Sequence, residues 1–167
     1  ILMDRYQFSL IATGNVALAT SLISLFVPSL FGKLDPGPRK RRQRIARFAL
    51  LMASIFTALA LVHHAIANVA LLLLMSAMSG YGTLLYADVR SSYPRETTGR
   101  ALSIFTMAMF LGAALMQSLS GVVAGLAERH GTDIYLAVML MIAAMLGLGA
   151  LAYRFIKSSP LLHQATH

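Results

Sequence analysis

The sequence predicts an all-α polytopic membrane protein with five transmembrane helices, and three observations carry that prediction. First, residues 7–31, 48–62, 67–87, 101–127 and 134–153 contain no Asp, Glu, Lys or Arg. At 1.5 Å of rise per residue each approaches the length that crosses ~30 Å of hydrocarbon, the second being the shortest. Second, the 14 Lys and Arg residues fall almost entirely on alternate loops. Third, 57% hydrophobic and 12% charged residues leave a chain of 167 residues too little polar surface for a water-soluble fold. Lipid cannot satisfy backbone N–H and C=O groups, so each stretch must close its own hydrogen bonds as a helix.

The first helix, about 7–31, ends near Pro28 and enters a loop over 32–44. Pro36, Gly37 and Pro38 are turn formers there, and the run Arg39-Lys40-Arg41-Arg42 cannot enter hydrocarbon. The second helix, 46–63, includes Arg47, whose long stem lets its charge snorkel to the interface. Only residues 64–66 separate it from the third helix, 67–87, so the two form a tight antiparallel hairpin. A polar loop over 88–99 follows, with Tyr93-Pro94 setting an extended start. The fourth helix runs over 101–127, and residues 128–133 lead into the fifth, 134–153.

Polar residues divide these helices. The first carries Thr13, Ala17, Thr20 and Ser24 on one face, and the third carries Asn68, Ser76, Ser79, Gly80 and Thr83 along one stripe. The fourth repeats Ser103, Thr106, Phe110, Ala113, Gln117, Ser120 and Ala124 at steps of three and four. The second offers little beyond Ser54 and Thr57, and the fifth has no polar side chain between Leu136 and Ala152. Polar groups at membrane depth face protein or water, so the first, third and fourth helices are expected to surround an interior while the second and fifth meet lipid. Gly121 and Gly125 form a GxxxG, and Ala108 with Gly112 a small-xxx-small pair, both of which suit close helix packing. Gly80-Tyr81-Gly82 suits a hinge or close packing equally.

Assigning loops alternately puts Lys33, Arg39, Lys40, Arg41, Arg42, Arg44, Arg47, Arg90, Arg95, Arg100, Arg154 and Lys157 on one side and only Arg5 and Arg129 on the other. Twelve cations against two place the first side in the cytoplasm, the N-terminus outside and the C-terminus inside. The net charge of +8 is thereby explained without a nucleic-acid partner. No cleavable signal peptide is evident in a chain that begins with Ile, which suggests a fragment of a longer protein.

The absence of cysteine excludes disulfides, thiol chemistry and Cys-ligated metal. His63, His64 and His130 share the outer side, but adjacent histidines diverge on a helix and no carboxylate-rich helix supports them, so no metal site and no cofactor are expected. The spans hold no Ser–His–Asp set, paired carboxylates or phosphate loop. An enzyme is therefore not expected. A membrane scaffold or assembly subunit stays open as an alternative, with a membrane-embedded enzyme behind it.

The loops from Gly32 to Arg42 and from Tyr93 to Ala101 and the segment from Gly112 to Gly121, taken in this order, resemble the major facilitator superfamily of secondary transporters. Gly32-Lys33-Leu34-Asp35-Pro36-Gly37-Pro38-Arg39-Lys40-Arg41-Arg42 is similar to the G-x-x-x-D-R-x-G-R-R loop that follows the second helix of each six-helix half. Its Asp arrives one residue early, and Pro36 stands where the family has Arg. Tyr93-Pro94-Arg95-Glu96-Thr97-Thr98-Gly99-Arg100-Ala101 resembles the P-x-x-x-x-G-R-A loop before the fifth helix of a half. The segment from Gly112 to Gly121 resembles the small-residue-rich eleventh helix. Five helices plus one in front make a six-helix half with both ends cytoplasmic. The degenerate loop and the polar tail 158–167 then favour helices eight to twelve of a twelve-helix carrier, the N-terminal half being the missing partner.

That resemblance implies alternating access in the cytoplasmic membrane, with a small solute held at mid-depth between two halves. Thr13, Thr20, Ser76, Phe110 and Gln117 are the cavity candidates, supplying neutral hydrogen bonds and one aromatic wall. All six carboxylates are expected in loops, so any proton relay lies in the missing helices. Asp35, Asp88 and Arg100 are the candidates for a cytoplasmic gate. Arg100 is unfavourable toward a helix N-terminus, and a nearby carboxylate would offset it in a contact able to break and reform.

Overall fold

The structure, a computed structural model, describes residues 2–155, apart from the side chains of residues 4 and 39. Lys157 and the polar tail used above lie outside the described residues. All regular elements among the described residues are helices, and five helical segments are long and apolar enough to cross a membrane.

A short helix, α1 (Leu2–Tyr6), opens the chain; five residues without an apolar period gave no sign of it in the sequence. Gln7 then adopts φ 54°, and the Ser9 hydroxyl caps α2 (Leu10–Lys33) by accepting from Ala12 N at 3.1 Å. Contrary to expectation the helix does not stop at Pro28 but runs through it to Lys33. Proline removes one internal bond, which a long apolar helix tolerates. The turn is then short. Gly37, at φ 82°, takes a left-handed conformation that suits glycine, and its N–H donates to Asp35 Oδ1 at 3.1 Å.

Pro38 opens α3 (Pro38–Leu61), a position where its missing N–H costs nothing. The cationic run thus forms the first turns of a helix instead of a loop. Val62 to His64 make the expected tight bend into α4 (Ala65–Met78). A 3-10 turn, Ser79–Tyr81, then carries the same span on into α5 (Gly82–Ser92). Tyr93 is extended ahead of Pro94, and α6 (Arg95–Arg129) begins at once. Most of the loop expected over 88–99 is therefore helical, and Asp88, Glu96 and Glu128 stand on helices, not in loops. Hydropathy marks where hydrocarbon ends, whereas a helix continues as long as its backbone bonds hold. At 35 residues α6 is about 52 Å long, well beyond the hydrocarbon thickness. Asp133 Oδ1 caps α7 (Ile134–Phe155), accepting from Tyr135 N at 2.9 Å and Leu136 N at 3.2 Å.

The packed core lies along α3. Ile45 joins Phe31 and Leu84 at one end; Met52, Ile55 and Leu59 meet α4 and Leu146 of α7 further along. The most extensive helix pair is α3 with α7, while α2 packs on α4 and the 3-10 turn, and α6 on α7 and α5. None of the residues in the most apolar window of α2 or α6 is buried, against a third for α3. Among the described residues, then, α3 is the most enclosed span, and the polar stripes of α2 and α6 are not enclosed by the other helices. The reason is local. Thr20, Ser76, Ser103, Thr106 and Ser120 donate to carbonyls three or four residues back on their own helices, so the stripes need no interior to satisfy them.

Candidate functional site

A cleft of about 820 Å³ opens between α3, α5, α6 and α7. Its walls are mostly aliphatic: Ala49, Met52 and Phe56 from α3, Met145, Leu146 and Gly149 from α7. The polar groups come from elsewhere. Gly112, Met116 and Ser120 stand four residues apart on one face of α6, with Gln117 beside them, and Tyr81 enters from the 3-10 turn. Ser120 Oγ already donates to Met116 O at 2.7 Å. The Gln117 amide and the Tyr81 hydroxyl have no hydrogen-bond partner among the described residues. An apolar cavity of roughly 300–1,000 Å³ with a few convergent polar groups is the usual form of a small-molecule site.

Of the five cavity candidates, only Gln117 lines this cleft. Thr13 Oγ1 is buried without a partner among the described residues, toward the start of α2. Thr20 donates to Ala17 O at 2.8 Å, and Ser76 is buried with its hydroxyl on Leu72 O at 3.0 Å. Phe110 is 73% exposed and lines no cavity among the described residues. The five are not brought together. Tyr81 and Tyr153 are cleft residues that polar spacing missed; Tyr81 was visible only as the middle of Gly80-Tyr81-Gly82. The glycines also sort differently from expectation. A Cβ built on Gly80 would sit 2.5 Å from Val27 Cγ1 and 2.7 Å from the Phe31 ring, so Gly80 is a close-packing site. At Gly112, Gly121 and Gly125 a Cβ would meet nothing within 4 Å, so the GxxxG packs no described helix.

A polar cluster closes the cationic end. Asp35 accepts from Arg41 Nη2 at 2.5 Å and from Arg41 Nε at 3.0 Å, while Arg41 Nη1 donates to Ala87 O at 2.9 Å and Ser91 Oγ at 2.7 Å. Arg41 is buried although it is charged. Its guanidinium holds the Asp35 carboxyl below the usual carboxylate range against the opposing effect of burial, with help from Gly37 N–H and the Arg44 charge. Asp88 Oδ2 accepts from the Tyr153 hydroxyl at 2.5 Å, and Arg42 lies 5.0 Å over the Tyr153 ring. Both gate carboxylates are thus engaged, but neither with Arg100, which is exposed and unpaired among the described residues. The contact anticipated for Arg100 is made by Arg41.

At the opposite end α1 acts as a clasp. Arg5 forms an ion pair with Asp133 and lies 5.8 Å over the Tyr135 ring. Tyr6 donates to Val62 O at 3.3 Å and receives Asn68 Nδ2 at 2.5 Å. His63 turns its Nδ1 toward Leu61 O at 2.8 Å. Among the described residues no group of three His, Cys, Asp or Glu is placed to hold a metal ion. Comparison of the chain with family models, with curated proteins and with solved structures found no match. Function must therefore be argued from the helices and the cleft.

Proposed function

We propose that the chain is part of a secondary carrier of the major facilitator type, embedded in the cytoplasmic membrane and moving a small solute by alternating access. The observation that carries this reading is the cleft with its open Gln117 amide. Gln117 is exposed and lines the cleft, so its unpartnered amide is open to a polar group of a bound solute.

The exposed faces of α2 and α6 fit the same proposal. Leu18, Leu22, Leu25 and Phe26 on α2, and Met107, Phe110, Leu111 and Val122 on α6, form more apolar surface than water tolerates. On this reading they meet lipid and a second transporter half, and the twelve cations lie in the cytoplasm.

The test is flux. The complete protein, reconstituted in vesicles and offered a panel of small solutes, is expected to give saturable uptake with at least one. Gln117→Leu should lower it at least tenfold without changing the protein's helicity. No saturable flux above empty vesicles for any solute would overturn the carrier reading and leave the scaffold alternative standing.

A further inference from the structure

A second cavity, about 440 Å³, lies where the first turns of α3 meet the last turns of α7, adjoining the first cleft through Ala46, Ala150 and Tyr153. Arg42, Arg47 and Arg154 line it together with Gln43, and no Asp or Glu is among the described lining residues. Below these cations the wall is apolar, made by Ala46, Leu50, Ala150 and Leu151. Leu50 and Leu151 are exposed on the outside of the helix pair.

The three arginines are held differently. Arg42 is fixed over the Tyr153 ring and donates to Tyr153 O at 3.2 Å. Arg47 and Arg154 are exposed and have no hydrogen-bond or ion-pair partner among the described residues. The nearby acids are already committed, Asp35 to Arg41 and Asp88 to the Tyr153 hydroxyl. Arg47 and Arg154, with no carboxylate among the described lining residues, make the open side of this hollow a site for an anion. Guanidinium groups suit phosphate oxygens because their N–H fork matches them in pairs. The adjoining apolar wall extends toward the helix surface that faces hydrocarbon if the spans cross a bilayer.

We propose that this hollow binds the phosphodiester headgroup of an anionic phospholipid, with the acyl chains laid along Leu50 and Leu151. A basic pocket between two transmembrane helices at the cationic interface has the chemistry for such a headgroup. The apolar wall decides for a lipid over a free phosphate, which has no use for Leu50 or Leu151. The proposal needs the five helices to span a membrane but does not depend on transport.

Native mass spectrometry of the full chain, released from a neutral detergent, tests it with phosphatidylglycerol and phosphatidylcholine offered at equal concentration. Wild type is expected to retain phosphatidylglycerol preferentially. Arg47→Gln with Arg154→Gln should reduce that preference roughly 30-fold, about fivefold for each cation removed. Arg95→Gln with Arg100→Gln, at the same end but outside the hollow, should leave it unchanged. Equal retention of both lipids by wild type would overturn the proposal, and that arm needs no variant to fold. Equal loss in the two double variants would show diffuse surface charge and overturn it as well. Displacement of the lipid by millimolar glycerol phosphate would assign the hollow to a free anion instead.

Discussion

Arg41 grips Asp35 with two of its nitrogens, at 2.5 and 3.0 Å, and with the third holds Ala87 O and Ser91 Oγ. One side chain therefore joins the α2–α3 turn, the start of α3 and the end of α5. Arg41→Gln removes the charge, leaving Asp35 with the Gly37 N–H alone and the Ala87 carbonyl without its side-chain donor. Loss of one partner of a buried pair costs about 3–5 kcal/mol, and the partial exposure of Asp35 moves the expectation to the low end. Thermal unfolding in detergent should show it. Arg41→Lys should recover only a part, because an ammonium cannot bond the carboxylate and α5 through separate nitrogens. A melting point within one degree of wild type for Arg41→Gln would exclude the staple.

The same pair sets a pH dependence. Asp35 has a lowered pKa when folded, chiefly through its bond from Arg41. Between that value and the unfolded carboxylate value of about 3.9 the unfolded chain binds more protons, so stability rises with pH there. The contribution is complete above the unfolded value and is lost as pH falls through the lower folded one. Melting points should accordingly be flat from pH 7 to about 5 and decline below about 4. Asp35→Asn should be less stable at pH 7 yet converge on wild type in acid. Parallel curves at every pH would refute the assignment.

Much of the fold was legible because hydrocarbon thickness and the cost of bare backbone groups leave few options: all five spans could be read from charge-free stretches. Their ends were less legible, since α5 passes Ala87 into Asp88 and Arg90, and α6 starts at Arg95, where composition no longer reports on helix. The site was least legible. Arg41 read as one more cation in a basic run because its partners Ala87 and Ser91 lie 46 and 50 residues away. Asp88 and Tyr153, 65 residues apart, gave no local signal of their bond. Serine and threonine stripes misled for the opposite reason, their hydroxyls being satisfied within one turn of the same helix.

Glycine substitutions separate packing from helix propensity. At Gly80 a methyl group would press on Val27 and on the Phe31 ring, which is itself packed against Phe48 at 5.1 Å. Overpacking of this kind costs about 1–3 kcal/mol, so Gly80→Ala should lower the melting point clearly. Gly121→Ala and Gly125→Ala meet open space within the chain. They should be neutral or slightly stabilising, by up to about 1 kcal/mol, because alanine is the better helix former. If Gly121→Ala instead destabilised the chain as much as Gly80→Ala does, the GxxxG would have an internal partner after all.

Tyr153 and Asp88 give the last test, because their bond ties the end of α7 to α5 beside the cleft. Asp88 Oδ1 is buried with no partner among the described residues, which leaves Oδ2 and the Tyr153 hydroxyl to carry the carboxylate. Tyr153→Phe deletes only that hydroxyl and keeps the ring under Arg42, so packing and the cation contact survive. A hydrogen bond to a charged group contributes about 1.5–3 kcal/mol, and Tyr153→Phe should lose that much. In Asp88→Asn the amide oxygen still accepts from the hydroxyl, so the cost should be smaller. Since both variants act on one bond, Tyr153→Phe added to Asp88→Ala should cost little more than Asp88→Ala alone. Strict additivity, measured by unfolding in detergent, would mean that the hydroxyl and the carboxylate act independently.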